Sequence, residues 1–241
     1  MRMFCDLHIH TALSPCADND MSPGNIVGMS KLKGLDVIAI TDHQRCGNIR
    51  PAMEIAKEYG ITVIPGMELE TAEEIHFICL FPSLCKALAF ETIVKNRMPP
   101  IKNREDIFGE EWLFNNNDDK ICKEENMLLL ASTISFEEAF LLVENLDGIC
   151  YPAHVDRDSY SILTTFGVIP PEYRYKTLEI SAKCDERQLL LEHPELQKYN
   201  FLRSSDAHTL PAILEPGMMV EIAQENPDEN TISLIINALR R

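Results

Sequence analysis

Apolar runs in this chain repeatedly end in a short polar signature: DLHIH (6–10), TDH (41–43), EIHF around His76, PAH ending at His154 and SSDAH (204–208). These signatures hold six of the seven histidines. An apolar run of strand length that stops at a histidine or an acid puts that side chain at a strand end. Many such ends meet in one pocket only where strands lie side by side and their loops converge. The pattern therefore predicts an α/β fold with a multi-metal site at the strand ends. The seventh histidine, His193 in LLLEHPEL, lies among helix formers and reads as a surface or helix-end residue.

No repeat of 20 to 50 residues is present, but apolar run, polar signature and helical stretch alternate, which is the sign of an α/β chain. Strands are predicted at 3–9, 36–40, 61–65, 75–81, 148–152, 177–180 and 201–204, seven in all. Helices are predicted at 23–33, opened by Ser22 with proline in the first turn, and at 51–59, closed by Gly60. Others are expected at 136–146 with Ser135 as N-cap, at 185–198 and at 231–241. The stretch from Glu68 to His76 is too short for a parallel crossover, so an antiparallel excursion is expected there. Residues 82–135, with PPIKNRED, NNNDDK and the single Trp112, fit the rhythm poorly. They are expected to be an insertion of helices and loops over one end of the barrel, either a lid or a structural decoration, within a single domain covering 1–241.

The formal charge of −16 argues against a generic nucleic-acid binder, since affinity for a polyanion comes from clustered Lys and Arg. No long duplex nucleic acid is expected as a partner. Divalent cations at the site reverse the local field, so a small phosphorylated substrate remains compatible with that charge. The eight cysteines form no CxxC pair, which suits neither a zinc finger nor a disulfide scaffold. No apolar stretch approaches the roughly 18 to 20 residues of a membrane span, and MRMFCDLHIH lacks the apolar core of a signal peptide. A cytoplasmic protein without membrane contact is expected; its oligomeric state is not legible.

In a strand, positions i and i+2 share a face, so Asp6, His8 and His10 point together, as do Ser204, Asp206 and His208. Imidazole and carboxylate are ligands for zinc, manganese and iron, and a carboxylate can bridge two ions. Asp6 is expected to orient His8 rather than to bind a metal itself. DLHIHTALS, AITDH, GMELET, EIHFICL, CYPAHVDR and SSDAH, taken in order, resemble the motifs of the polymerase and histidinol phosphatase (PHP) superfamily, in its stand-alone metal-dependent phosphoesterase branch. The resemblance runs from Cys5 to about His208. It implies a distorted (β/α)7 TIM-like barrel and a trinuclear cluster of divalent ions (Zn, Mn or Fe), of which two or three are expected here.

Carried over residue by residue, the resemblance gives the first ion to His8, His10, Glu68 and Asp206. It gives the second to Glu68, His76 and His154, with Glu68 as bridge, and the third to His43, His208 and a residue of the loop after His10. Relatives place an Asp or His five or six positions past the second histidine, where this chain has Pro15 and Cys16. Asp18 is the preferred third-metal ligand, with Asp20 and Cys16 behind it. Asp42 is open between hydrogen-bonding a metal-bound water and capping the following turn.

These ligands imply metal-activated hydroxide attack on phosphorus, with Glu68, Asp206, Asp42 and Arg157 as the catalytic set. No GxSxG or P-loop motif offers a covalent route. Arg157 and Lys183 follow strand ends and are the substrate-binding candidates, with Arg97, Lys102 and Arg104 able to reach in from the insertion. The expected substrate is a small phosphomonoester, a nucleotide 3′,5′-bisphosphate or a short 5′-phosphorylated oligonucleotide. Histidinol phosphate is the runner-up. An amidohydrolase-type C–N hydrolase shares the barrel and the opening HxH but commonly bridges its metals with a carboxylated lysine, where this chain has Glu68. A non-catalytic PHP binding module would not need every ligand.

Overall fold

Aliphatic and β-branched runs such as VIAI and TVIPGMELE form the strands of this chain, whose computed structural model describes residues 1–222 and 230–240. The strands are β1 (Arg2–Ile9), β2 (Val37–Ile40), β3 (Thr62–Glu70), β4 (His76–Leu80), β5 (Trp112–Phe114), β6 (Lys120–Lys123), β7 (Ile149–Pro152), β8 (Thr177–Ile180), β9 (Asn200–Arg203) and β10 (Met219–Glu221). The seven predicted strands correspond to β1 to β4 and β7 to β9. One sheet runs β10-β1-β2-β3-β4-β7, and β8 pairs with β9 in a second. The polypeptide is a distorted TIM-like barrel, with β1, β2 and β3 parallel and β4 antiparallel to both β3 and β7.

The antiparallel excursion falls where the short connection requires it. Thr71 N donates to the Ile75 carbonyl at 2.9 Å, and Glu74 takes φ +58° to close the turn. Where ladder pairing lapses, single bonds hold the barrel shut: Val155 N to the Glu179 carbonyl at 2.9 Å, and His10 N to the Ala207 carbonyl at 3.0 Å. Strands β2, β4, β7 and β8 are buried along their whole length, as expected of strands covered on both faces. In β1, Leu7 and Ile9 are fully buried on the face opposite the histidines, each contributing roughly 1.5–3 kcal/mol.

Helix Pro23–Leu32 starts as its sequence dictates, with Ser22 Oγ accepting from Asn25 N at 3.2 Å. Helix Ile49–Tyr59 stops at Gly60, which takes the left-handed φ of +64° that glycine adopts without a Cβ penalty. Helix Phe136–Glu144 is capped by Ser135, and the last helix is Thr231–Leu239; of the predicted 231–241, Arg241 lies outside the described residues. The predicted helix 185–198 divides at Pro194 into Glu186–Glu192 and a 3-10 turn, Pro194–Lys198. Residues 82–135 hold helices Leu84–Lys95 and Glu105–Phe108 and also the antiparallel pair β5-β6, which replaces part of the expected helix and loop. Strand β10 and helix Ile162–Phe166 were not expected either.

The segment bearing β5 and β6 packs on the loop after β1. Trp112 N donates to the Ala12 carbonyl at 2.6 Å, and Asn48 Nδ2 links Thr11 Oγ1 to the Trp112 carbonyl at 2.8 and 2.9 Å. A Cβ on Gly109 would stand 2.4 Å from the Pro15 carbonyl oxygen, so only glycine permits that approach. No helix among the described residues is long and apolar enough to cross a membrane.

Candidate metal centre

Five imidazoles converge on one carboxylate at the strand ends. Glu68, 1% exposed, lies where β3 overshoots the barrel, pinned by Glu68 N donating to the Asp42 carbonyl at 3.1 Å and Gln44 N donating to its own carbonyl at 3.0 Å. Its Oε1 is 2.9 Å from His76 Nδ1 and 3.3 Å from both His8 Nε2 and His154 Nε2. Its Oε2 is 3.0 Å from His43 Nδ1 and 3.2 Å from His10 Nε2. Asp206 Oδ1 completes the group, 3.1 Å from His8 Nε2 and 3.0 Å from His10 Nε2. Asp206 and His154 sit at φ +50° and +29°, a costly backbone for non-glycine residues that aims both side chains inward.

Burial opposes charge on Glu68, yet His76, His8 and His43 hold its carboxyl well below the ordinary glutamate range. Burial likewise raises Asp206, but His8 and His10 more than reverse it and the carboxyl is lowered. Burial drives His43 well below the ordinary imidazole range, and His208 down to about 4 by burial and then His10.

The residues fit divalent ions on the donor atoms they present. His8 Nε2 and His10 Nε2 face each other at 3.0 Å, although an imidazole nitrogen is either donor or acceptor and Glu179 already takes His8 Nδ1. Asp206 Oδ1 and His154 Nδ1 are buried with no hydrogen-bond partner. Three sets bring their donor atoms within 4.8 Å of one another: His8, His10, Glu68 and Asp206; His43, Glu68 and His76; and His10, His43 and His208. Cations shared among these sets would satisfy the facing Nε2 atoms and Asp206 Oδ1, though not His154 Nδ1, since His154 faces Glu68 through Nε2.

Supporting contacts depart from the sequence reading in three places. Asp6 does not orient His8: its carboxylate accepts from Ser205 N and Leu214 N, both at 3.0 Å, and so shapes the loop that carries Asp206. His8 is oriented by Glu179 of β8, whose Oε1 is 2.9 Å from His8 Nδ1 and also accepts from His154 N at 3.1 Å. The sequence reading missed Glu179, and the only signal was an acid inside the buried run TLEI. Asp42 is committed to the loop after β1, accepting from Thr11 N, Thr11 Oγ1 and Ser14 Oγ at 2.7 to 2.8 Å, while Ser14 Oγ contacts His10 Nδ1 at 2.9 Å. Asp18 is not brought into the cluster. Its side chain is exposed, as is that of Asp20, and its backbone N–H binds the His208 carbonyl at 2.9 Å. The loop group that meets His208 is Cys16, with Sγ 3.1 Å from Nε2.

Arg157 Nη1 lies 2.5 Å from Asp206 Oδ2. It lines a cavity of about 490 Å³ together with Ser181, Ala182, Lys183, Ser205 and Ala212. Arg97 instead pairs with Glu138, Lys102 with Glu125 and Arg104 with Asp106. Tyr160, also missed from the sequence, stacks on His76 with ring centroids 4.6 Å apart and is 48% exposed.

The PHP domain family model matches residues 6–190. The chain belongs to that family. An uncharacterized protein of Methanocaldococcus jannaschii is 34% identical over 102 residues, 39% of this chain and 60% of that protein. A 5′-3′ exoribonuclease of Haemophilus influenzae is 37% identical over 78 residues, 31% of this chain and 27% of that protein. Among solved structures, the lesion-specific endonuclease of Pyrococcus furiosus aligns over 98% of this chain and 56% of its own, with TM-score 0.65 and 18% identity. A complex of endonuclease Q with a 27-mer duplex bearing an abasic lesion at the active site aligns over the same shares, with TM-score 0.67 and 19% identity. The chain thus spans less than two thirds of each of these proteins.

The endonuclease complex overturns the exclusion of long duplex nucleic acid drawn from net charge, because a protein of this fold takes a duplex at its active site. Net charge sums over the whole surface, whereas contact with a phosphate backbone is decided by the local field at a groove.

Proposed function

We propose that this PHP domain is a metal-dependent phosphoesterase acting on a phosphate ester of a nucleotide or of a nucleic-acid end. The observation that carries this reading is Glu68, ringed by five histidines and adjoined by Asp206, beside a cavity that Arg157 and Lys183 line. In this reading His8, His10, Glu68 and Asp206 hold one ion, Glu68, His76 and His154 a second, and His43 and His208 a third. Divalent ions at such a site supply Lewis acidity that lowers the pKa of water and neutralises phosphate charge.

The chain's own residues prepare and bound that chemistry. Glu179 holds the proton of His8 on Nδ1 and so leaves Nε2 as the ligand atom, and Ser14 orients His10 through its own Nδ1. Arg157, with its side chain 43% exposed, keeps one guanidinium N–H on Asp206 and has further N–H donors with which to bind a phosphate oxygen. Lys183 adds a point charge across the same cavity. Tyr160, stacked on His76 and half exposed, offers an aromatic ring beside the cluster, and stacking of a nucleobase on such a ring is worth about 1–3 kcal/mol. The family match and the exoribonuclease and endonuclease similarities support a nucleic-acid-related ester, and the substrates proposed are a nucleotide 3′,5′-bisphosphate or a 5′-phosphorylated oligonucleotide.

The test is phosphate and nucleotide release by manganese-loaded protein. The panel holds a nucleotide 3′,5′-bisphosphate, mononucleotides, a 5′-phosphorylated oligonucleotide, an abasic duplex and histidinol phosphate, with Asp206→Ala run in parallel. Turnover of a nucleotide or oligonucleotide that vanishes in the variant is the expected result. Turnover of histidinol phosphate alone would replace the substrate class, and inertness of metal-loaded protein towards every ester would sink the reading.

A further inference from the structure

The outer end of the site differs in donor chemistry from the rest. His208 Nδ1 donates to the Asp206 carbonyl at 2.8 Å, which places the neutral ring's lone pair on Nε2, and Nε2 faces Cys16 Sγ at 3.1 Å. A thiolate and an imidazole bound to one tetrahedral ion, at about 2.3 and 2.0–2.1 Å, stand roughly 3.5 Å apart, so the pair is within a few tenths of an ångström of that spacing. His10 stacks on His208 at 4.3 Å, and the donor atoms of His10, His43 and His208 lie within 4.8 Å of one another. Independently of the thiol, this triad of imidazoles already presents three nitrogen donors to one centre.

The loop that carries Cys16 is held rather than free. Ala17 N binds the Ser14 carbonyl and Ala12 N the Met21 carbonyl at 2.9 and 2.8 Å, Asp18 N ties the loop to the His208 carbonyl, and Gly109 abuts Pro15. The thiol is thereby held beside His208; Cys16 is exposed, as are Asp18 and Asp20, but it is its Sγ that stands 3.1 Å from His208 Nε2.

We propose that Cys16 is the loop ligand of the outer ion, binding as a thiolate with His43 and His208, and that it makes this position select thiophilic ions such as zinc, cobalt and cadmium over manganese. The proposal rests on the reading of the ring as a metal site. On binding, the S–H bond breaks, a metal–sulfur bond forms, one proton passes to solvent and no electron is transferred. Thiolate is a soft ligand and favours such metals, whereas the carboxylates and imidazoles of the inner positions accept manganese readily.

The experiment titrates metal-free full-length protein with cobalt(II) under anaerobic conditions, in parallel for wild type, Cys16→Ser and Cys16→Asp, with circular dichroism to confirm folding. Wild type is expected to show a thiolate-to-cobalt charge-transfer absorption in the near ultraviolet. Cys16→Ser is expected to lose that band and one bound ion while retaining the visible bands of the inner ions. Competition between cadmium and manganese at the outer position should favour cadmium at least tenfold more in wild type than in Cys16→Asp. Inner cobalt bands without a thiolate band, or a thiolate band that survives in Cys16→Ser, would overturn the role of Cys16 alone. Absence of any bound cobalt would overturn the metal-site reading with it.

Discussion

Glu68 and Glu111 are buried to the same degree, 1% and 0% exposed, yet they stand in opposite chemical situations. Glu68, at the strand ends, is met by five imidazoles, and its carboxyl is held far down despite burial. Glu111, beside β5, receives one backbone N–H, Leu128 N to Oε1 at 3.1 Å, and its Oε2 has no partner. Burial dominates there, and the carboxyl is raised to about 8. Burial alone therefore does not mark a functional acid. A site is marked by partners whose own lone pairs and protons conflict until a cation joins them, as His8 and His10 do around Glu68.

The largest expected effect comes from removing the charge at the centre of this contrast. Glu68→Gln keeps the shape but takes away the anion between two metal sets. It should strip most bound metal and lower turnover on the order of 10³-fold, since several kcal/mol of charge stabilisation are lost at about 1.4 kcal/mol per tenfold. Metal content by elemental analysis and phosphate release check it together. A Gln variant with full metal content and turnover would erase the distinction between Glu68 and Glu111.

Next in size is the support of the ring from β8. Glu179→Ala should weaken metal binding about 10- to 100-fold by chelator competition, the usual loss when a carboxylate behind a metal-bound histidine is removed. Glu179→Gln, which can still accept from His8 Nδ1 and His154 N, should recover part of the loss. Equal affinity in all three proteins would show that Glu179 is buried for packing, as Glu111 is.

The contrast also explains what was legible in the sequence. Strand ends carrying HxH, TDH and DxH could be read because period-2 alternation and a stop at a polar residue are local signals, and these gave seven barrel strands and the converging histidines. Glu179 was not legible because its partner His8 is 171 residues away and nothing in TLEI separates a functional acid from an ordinary strand residue. Asp6 was misassigned for a related reason: sharing a face with His8 says nothing of whether Ser205 N and Leu214 N reach it first. Between Asp18 and Cys16, loop conformation decided the placement, and that conformation depends on contacts from Gly109 and Trp112 far along the chain. The β5-β6 pair escaped because amide-rich NNNDDK reads as a loop but serves as its turn, with Asp118 at φ +65°.

A smaller effect is expected at the rim. Arg157→Ala removes one charge-assisted bond to Asp206 and the guanidinium next to the cavity, without touching the ring. Turnover efficiency should fall about tenfold, the low end of the worth of a charged hydrogen bond, with metal content unchanged. Unchanged kinetics would confine the working charge to the ring and remove Arg157 from substrate binding.

The smallest effect tests the other acid. Because the folded-state pKa of Glu111 is raised, the unfolded chain gives up this proton near the ordinary glutamate value while the folded chain keeps it until about pH 8. The unfolded state therefore binds fewer protons across that window, and the contribution of Glu111 to stability falls as pH rises from about 4.5 to 8 and is level above it. Glu111→Gln cannot ionise and still offers an oxygen to Leu128 N, so its melting temperature relative to wild type should climb across the same window. A gain on the order of 2–4 °C at pH 8 is expected, the shift that about 1 kcal/mol produces in a chain of this size, with turnover unaffected. A difference that stays flat with pH would mean that Glu111 is compensated in the folded protein after all, and the contrast with Glu68 would then be one of metal binding alone rather than of burial answered and unanswered.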